Sequence, residues 1–342
     1  MSLSVITYKP DNELPVLKSK SYFMSVHLFR LYSELPLYDP FLITVYDGSE
    51  VVGVVLATVI RHYRWMPRRY TGRCMVIGYP EVAERADSKE IAAQLLDRLN
   101  EESRRISLYT EIRNVVGDGL FSPLLGERNY NASDWFNIVN PLPGDVDTAF
   151  NQVSPSKRRQ IKIAENRGVM IKAASNMDEI NAFYVILQDL YSHIAKPLPP
   201  RLFFQRFFKD TQNTGRGVIL IAYHEKQVIG GVMCPGDDTT LYEWYIAGMD
   251  RTQRELYPSA VLTWSAIAYA VRNGYRYFDF MGGGKADKAY GVRDFKLRFG
   301  GELQQAIRYR KKHNTFWYAL IKANPLGIRH LLIKKANTRK NY

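Results

Sequence analysis

Several ordinary features are scarce in this sequence, and each scarcity removes a class of protein. Cysteine occurs twice, at Cys74 and Cys234, in separate halves and without CxxC spacing. Two isolated thiols build neither a disulfide framework nor a zinc knuckle, so both are expected as small buried apolar residues in a reducing compartment. Long apolar runs are missing too. The longest, VVGVVLATVI at 51–60, has ten residues, against the ~20 that cross a bilayer. The N-terminal stretch MSLSVITYKPDNELPV has no basic segment leading into an apolar one, so no signal peptide is expected and the location is read as cytoplasmic. The six histidines are scattered, with no HExxH and no His–Cys cluster, and no metal site is expected. Without a GxSxG elbow, serine-hydrolase chemistry has no support.

Acid is scarce in one place only. From Leu303 to Tyr342 there are ten Lys or Arg and no Asp or Glu, which leaves 37 basic against 34 acidic side chains in the first 302 residues. The overall charge of +13 therefore belongs mostly to a tail. Its sequence IRYRKKHNTFWYALIKANPLGIRHLLIKK (307–335) interleaves Phe316, Trp317 and Tyr318 with basic residues. That composition suits an RNA backbone with stacking on the rings. It equally suits a peripheral contact with the inner, anionic membrane face, or rings that simply pack back onto the first domain.

What is present is a repeat. LITVYDGSEVVGVV (42–55) and LIAYHEKQVIGGVM (220–233) match at an offset of 177, aligning Tyr46 with Tyr223, Val51 with Val228 and Gly53 with Gly230. Each reads as strand, polar turn, strand. A helix and a strand follow both times. In the first half the helix spans 87–105, with Asp87 as N-cap and Ile91, Leu95, Leu96 and Leu99 on one face, and the strand is 106–114. In the second half the helix runs over 258–274 and stops at Asn273–Gly274, and the strand is 275–281. The expected fold is α/β: two related domains with mixed sheets flanked by helices, at 1–143 and 144–307. A basic aromatic helical tail at 308–342 follows.

The stretch FDFMGGGKADKAYGVRDFKLRFGGEL (278–303) mimics a phosphate loop without being one. A Walker loop needs GxxxxGK[ST], but Lys285 is followed by Ala286, and no GxGxxG opens a helix. The strand ending in FDFMGGG, the later YGVRDFKLRFGGEL and the preceding helix of pattern SxxLxWxAIxYAxxxGY together resemble the C-terminal core of the Fem family. These aminoacyltransferases build peptidoglycan interpeptide bridges and are tandem-domain relatives of the GNAT N-acyltransferases. SPSKRRQIKIAENRGVMIK (154–172) is similar to that family's entry into its second domain, so the resemblance covers about 154–303. It implies two tandem GNAT-like domains, an aminoacyl-tRNA donor and an anionic envelope precursor as acceptor, with no tightly bound cofactor.

The resemblance also implies roles. The family's FK pair places Lys296 beside the donor phosphate and the reacting ester, with Phe295 under the donor or in the core. Gly283, Gly284 and Tyr290 join the substrate-binding set, because glycine backbone can approach a ligand closely. In TTLYEWYIAGMD (239–250) strict alternation puts Glu243 and Tyr245 on one face, as candidate base and candidate acid; a salt bridge from Glu243 to an arginine is the alternative. Asp279, inside an aromatic strand, needs a partner and is read as tying down loop amides. In YTEIRN, Tyr109, Glu111 and Arg113 share a strand face, where Glu111 would orient the acceptor amine and Arg113 hold its phosphate or carboxylate. A salt-bridge network there is the equal alternative. Arg158 and Arg159, on a helix begun by Ser154 or Ser156, join Arg251 and Arg254 as donor phosphate ligands. RTQRELYPSAVL (251–262) has none of the glycines of the R/Q-x-x-G-x-G/A turn that cradles CoA diphosphate. An acyl-CoA donor acting on an amino sugar or other small amine is the runner-up. A non-catalytic RNA- or membrane-binding protein is the third reading.

Overall fold

The computed structural model describes residues 3–61, 67–116, 119–287 and 291–323. The described chain forms two compact units, 3–135 with 305–323, and 136–304. The first unit opens with strand β1 (Leu3–Tyr8), helix α1 (Val26–Ser33) and the hairpin β2 (Tyr38–Asp47) and β3 (Glu50–Ile60). It continues through α2 (Arg68–Thr71), β4 (Arg73–Ile77), β5 (Glu81–Val82), α3 (Ser88–Ile106), β6 (Tyr109–Val116) and α4 (Phe121–Glu127). Strand β7 (Asn131–Pro141) carries the chain into the second unit, with α5 (Val146–Gln152), α6 (Pro155–Asn166), β8 (Met170–Ala173), α7 (Met177–His193) and α8 (Arg201–Thr214). A second hairpin, β9 (Gly217–His224) and β10 (Gln227–Pro235), leads to β11 (Thr240–Tyr242), β12 (Tyr245–Gly248) and α9 (Pro258–Arg272). Then come β13 (Tyr277–Asp279), β14 (Gly284–Lys285) and α10 (Gly291–Leu297). Strand β15 (Glu302–Lys312) returns the chain to the first unit, where α11 (Thr315–Ala323) follows.

The repeat holds at the level of register. Tyr46 pairs with Val51 and Val45 with Gly53; in the second hairpin Tyr223 pairs with Val228 and Ala222 with Gly230. Each hairpin therefore carries one extra residue, Val52 or Ile229, at the same distance from its turn, a bulge that chance similarity between hairpins would not reproduce. Both strands of the first hairpin are apolar on both faces because both faces are covered. A helix side chain reaches the glycine after each bulge. A Cβ on Gly53 would lie 2.6 Å from Ile91 of α3, and one on Gly230 would lie 2.9 Å from Leu262 of α9.

In the first unit β4 pairs with both neighbours, antiparallel to β3 through 73–75 and parallel to β6 through 73–77, so the sheet is continuous. In the second unit the equivalent segment breaks. β11 pairs in parallel with β13, which pairs with residues 139–141 of β7. β12 instead pairs antiparallel with β10 in the sheet β12-β10-β9-β8. The unbroken strand expected over 239–250 is thus corrected: the Glu243 amide donates to Asp279 in one sheet and the Trp244 amide to Met233 in the other. The backbone keeps its hydrogen bonds by changing partners at one peptide, and the two sheets part there.

Three local expectations also change. Asp87 stands at the N-cap of α3 but caps nothing, because its carboxylate pairs with Arg85. Ser154 precedes α6 without a side-chain cap, with Pro155 beginning the helix. The tail expected from residue 308 begins instead as the end of β15, which pairs through Lys312 with β6. Trp317 packs on Tyr70 and Tyr318 on Tyr109, so these two rings are taken up by packing, while Phe316 is exposed. The remaining tail, 324–342, lies outside the described residues. Both cysteines are buried free thiols, and no helix among the described residues is long and apolar enough to cross a membrane.

Gly53→Val tests the helix crossing. Overpacking against Ile91 is expected to cost about 1–3 kcal/mol in urea unfolding, whereas Gly144→Val, whose Cβ meets nothing within 4 Å, is expected to leave the midpoint in place.

Candidate active site

The break between β11 and β12 places Glu243 at the parting of the sheets, only 4% exposed. Its Oε2 accepts the hydroxyl of Thr263, from the middle of α9, at 3.0 Å. Burial pushes the Glu243 carboxyl up to about 7, against the pull of the Lys296 ammonium and the Thr263 hydroxyl. Among the described residues no arginine is shown pairing with Glu243, and the cation acting on it is Lys296.

Lys296 sits in the last turn of α10, and the fold turns its side chain inward. Its Nζ donates to the carbonyls of Phe280 and, at 3.0 Å, Gly282. Burial lowers its pKa, while Glu243 and Asp279 act in the opposite direction. A surface lysine on a short helix is therefore excluded. Asp279 closes the cluster from the end of β13. Its carboxylate accepts the Met281 amide at 2.6 Å and the Asn137 side-chain amide at 2.9 Å, so it does tie down the loop. Burial raises the Asp279 pKa, opposed by those two donors and by Lys296.

The glycine run has backbone reasons for all three residues. Gly282 and Gly284 take φ of 111° and 83°, which side chains disfavour. A Cβ on Gly283 would come within 3.0 Å of Phe136, whose carbonyl accepts the Gly283 amide. Backbone geometry thus accounts for each of the three glycines. The loop is shaped so that the Phe280 and Gly282 carbonyls face Lys296.

Other expected residues are placed differently. Tyr245 lies across the break in β12, its ring among Tyr191, Phe203, Phe204 and Trp244. Phe295 packs against the core and Phe299, with the Lys157 ammonium 4.2 Å from its ring centre. Lys157 is thus the member of the basic helix that turns inward. Arg158 bonds Asn151 at 3.3 Å, and Arg159 is exposed. Arg251 and Arg254 are exposed on the loop before α9, Arg251 lying 3.6 Å from Asp189. Tyr290 lies outside the described residues.

In the first unit Glu111 is 1% exposed and bonded to Arg113 and Arg310. It cannot orient an amine directly, because its oxygens are spent on guanidinium groups. The salt-bridge alternative describes it.

Pattern reading missed Thr263, Asn137 and Asp250. Thr263 had a signal, being a polar residue inside an apolar helix. Asp250 had none; its Oδ1 accepts the Ser259 amide at 3.3 Å and its Oδ2 accepts the Ser259 hydroxyl. A carboxylate thereby occupies the first turn of α9.

Residues 154–296 match the profile of the acetyltransferase (GNAT) domain. No curated protein sequence matches the chain. The fold is similar to that of FemX, at 14% identity and TM-score 0.62, over 82% of this chain and 90% of that one. It is similar to a tandem GNAT protein from the clavulanic acid biosynthesis pathway, at 11% identity and TM-score 0.60, over 92% and 99%. L-PGS from Bacillus licheniformis is a third similar structure, at 8% identity and TM-score 0.54, over 90% and 92%. At these identities the likeness is one of fold. With a split sheet, a buried Glu–Lys–Asp cluster at the split and a GNAT profile over the same residues, 154–296 form a GNAT acyltransferase domain within a chain of tandem GNAT fold.

Proposed function

We propose that the protein transfers an aminoacyl group from aminoacyl-tRNA to an amine of an anionic envelope precursor of the peptidoglycan type. The observation that carries the choice of donor is Asp250. A GNAT domain that takes acyl-CoA offers free amides at the start of the helix after the split strand to a diphosphate. In this chain that position carries a carboxylate hydrogen-bonded to the Ser259 amide and hydroxyl, which repels a diphosphate and competes for the same donors. An aminoacyl ester brings no diphosphate to that turn.

The cluster at the split supplies the chemistry. The acceptor amine attacks the ester carbonyl, a C–N bond forms, and negative charge moves to the carbonyl oxygen. Lys296 offers positive charge held by the Phe280 and Gly282 carbonyls, and charge already in place needs no reorganisation. Glu243 takes the amine proton, directly or through one water. The C–O bond then breaks, and the proton that Glu243 took passes to the departing ribose oxygen, which leaves as the hydroxyl. Asp279 and Asn137 hold the loop that aims Lys296; they are positioning residues. Arg158, Arg159, Arg251 and Arg254 remain the proposed contacts for donor phosphates, and a conduct of the basic tail along RNA or an anionic membrane surface belongs to the same proposal. No cofactor is required.

Lys296→Met is expected to lower aminoacyl transfer at least ~100-fold, the scale of one lost charge-stabilising group, with an unchanged far-ultraviolet spectrum. A preserved rate removes Lys296 from the mechanism. The carboxylate form of Glu243 is the active one, so kcat/KM is expected to rise with pH through about 7, and Glu243→Gln to lose that rise together with ~10²–10⁴ of the rate. Burial disfavours the same ionised form. Stability should therefore fall as pH climbs from about 4.5 towards about 7, and the Gln variant should lack that component. Calorimetric titration with acetyl-CoA separates the donors: no saturable heat, with aminoacyl-tRNA turnover present, supports the reading. Micromolar saturation with acetyl-CoA and turnover of it transfers the assignment to acyl-CoA.

A further inference from the structure

The loop that receives Lys296 is strained and has to be held in shape from outside. Met281, Gly282 and Gly284 take φ of 57°, 111° and 83°. A methionine in the left-handed region persists only where its surroundings fix it. On one side the loop is fixed by its amides. The Met281 amide donates to the Asp279 carboxylate at 2.6 Å, and the Gly283 amide to the Phe136 carbonyl, also at 2.6 Å. On the other side it is fixed by its carbonyls, and these face helix α10.

Two basic side chains of α10 divide those carbonyls between them. Lys296 takes Phe280 and Gly282. Arg293, three residues earlier and so a neighbour on the helix surface, donates through Nε to the Gly283 carbonyl at 2.7 Å. Its Nη2 donates to the Lys285 carbonyl at 2.5 Å. The guanidinium also lies 4.7 Å from the centre of the Phe136 ring, on the residue whose carbonyl takes the Gly283 amide. Gly283 is therefore gripped at both its amide and its carbonyl. A planar guanidinium with donors at fixed angles can hold two carbonyls at once, which a single ammonium does less rigidly. The Gly282 carbonyl, which Lys296 binds at 3.0 Å, belongs to the peptide whose amide is that of Gly283. Its direction follows from those grips.

We propose that Arg293 is a positioning residue for acyl transfer: by fixing Gly283 and Lys285 it sets where the Gly282 carbonyl, and with it the Lys296 ammonium, stands relative to Glu243. It acts through the loop and is assigned no contact with the reacting atoms. The assignment rests on the charge-stabilising role of Lys296 in the reading above. Small displacements of a positioned group are costly in rate, of the order of 10²-fold for about 1 Å, so the loop's shape matters to the chemistry as well as to the fold.

The test uses the full chain and two readouts. The first needs no substrate: brief labelling with acetic anhydride, read lysine by lysine by peptide mass spectrometry. Lys296, buried and bonded to two carbonyls, should label slowly in the wild type and at least ~10-fold faster in Arg293→Ala, as local opening exposes it. Lys157, whose ammonium rests on Phe295 of the same helix, should keep its rate. The second readout is aminoacyl transfer. Arg293→Ala should lower kcat ~10- to 100-fold with KM nearly unchanged, and guanidinium chloride at millimolar concentration, but not sodium chloride, should restore part of it. Because Lys296 pulls the Glu243 carboxyl down, its displacement should also move the limb of kcat/KM near pH 7 to higher pH. Arg293→Lys, which keeps the charge, should fall between Ala and wild type in both readouts and preserves the test where Ala folds poorly. Arg272→Ala, exposed at the end of α9, should change neither. Unchanged labelling of Lys296, equal acceleration at Lys157, or an unchanged kcat, with Lys296→Met inactive, overturns this proposal alone. A full rate in Lys296→Met overturns the reading beneath it as well.

Discussion

The candidate site depends on one peptide changing sides. Between Glu243 and Trp244 the backbone hydrogen bonds pass from one sheet to another. A strand cannot follow two diverging neighbours, so the sheets part and a buried carboxylate is left where they separate. Its counterpart in the first unit does not change sides, since β4 keeps both neighbours. One duplicated framework therefore carries a split sheet in one unit and a continuous one in the other.

Burial of charge is the second organising constraint, and the two units handle it in opposite ways. At the split, one cation lies among two carboxylates, and each carboxylate is given a specific donor: Thr263 for Glu243, Asn137 for Asp279. Burial drives both carboxylates towards neutrality and the lysine away from its charge. The Glu243 carboxyl is thereby brought to about 7, where it can exchange a proton near neutral pH. In the first unit three guanidiniums, of Arg113, Arg308 and Arg310, share the Glu111 carboxylate. Arginine holds its charge under burial far better than lysine, so that cluster stores charge rather than protons.

Much of this was legible before any coordinates. The two hairpins announced themselves by a matched spacing of valines, tyrosine and glycine, and the structure reproduces even the bulge. Helix α3 shows its buried face in Ile91, Leu95, Leu96 and Leu99 because a period of 3.6 is visible in a linear string. Lys296 was found through a resemblance, and the inward turn of its side chain follows from loop carbonyls that no pattern displays. Alternation along 239–250 singles out Glu243, but the strand is not continuous there, and what buries the carboxylate is the parting of the sheets. Glu111 was read as facing a ligand because a polar residue in a strand looks the same whether it meets water or a guanidinium.

By itself the sequence determined the α/β class, the duplication, the order of elements and the residue types available for acyl transfer. These follow from local periodicity and spacing, which one chain carries in full. Only the tertiary structure decided that the sheet splits at Glu243, that Asp250 occupies the first turn of α9, and that Arg308 joins Arg113 around Glu111 across nearly two hundred positions. Two of these are contacts between segments distant in sequence, and the third, Asp250 with Ser259 nine residues on, depends on the path of the turn between them. The energy of each depends on burial and on partners, and neither is a property of any single stretch of chain.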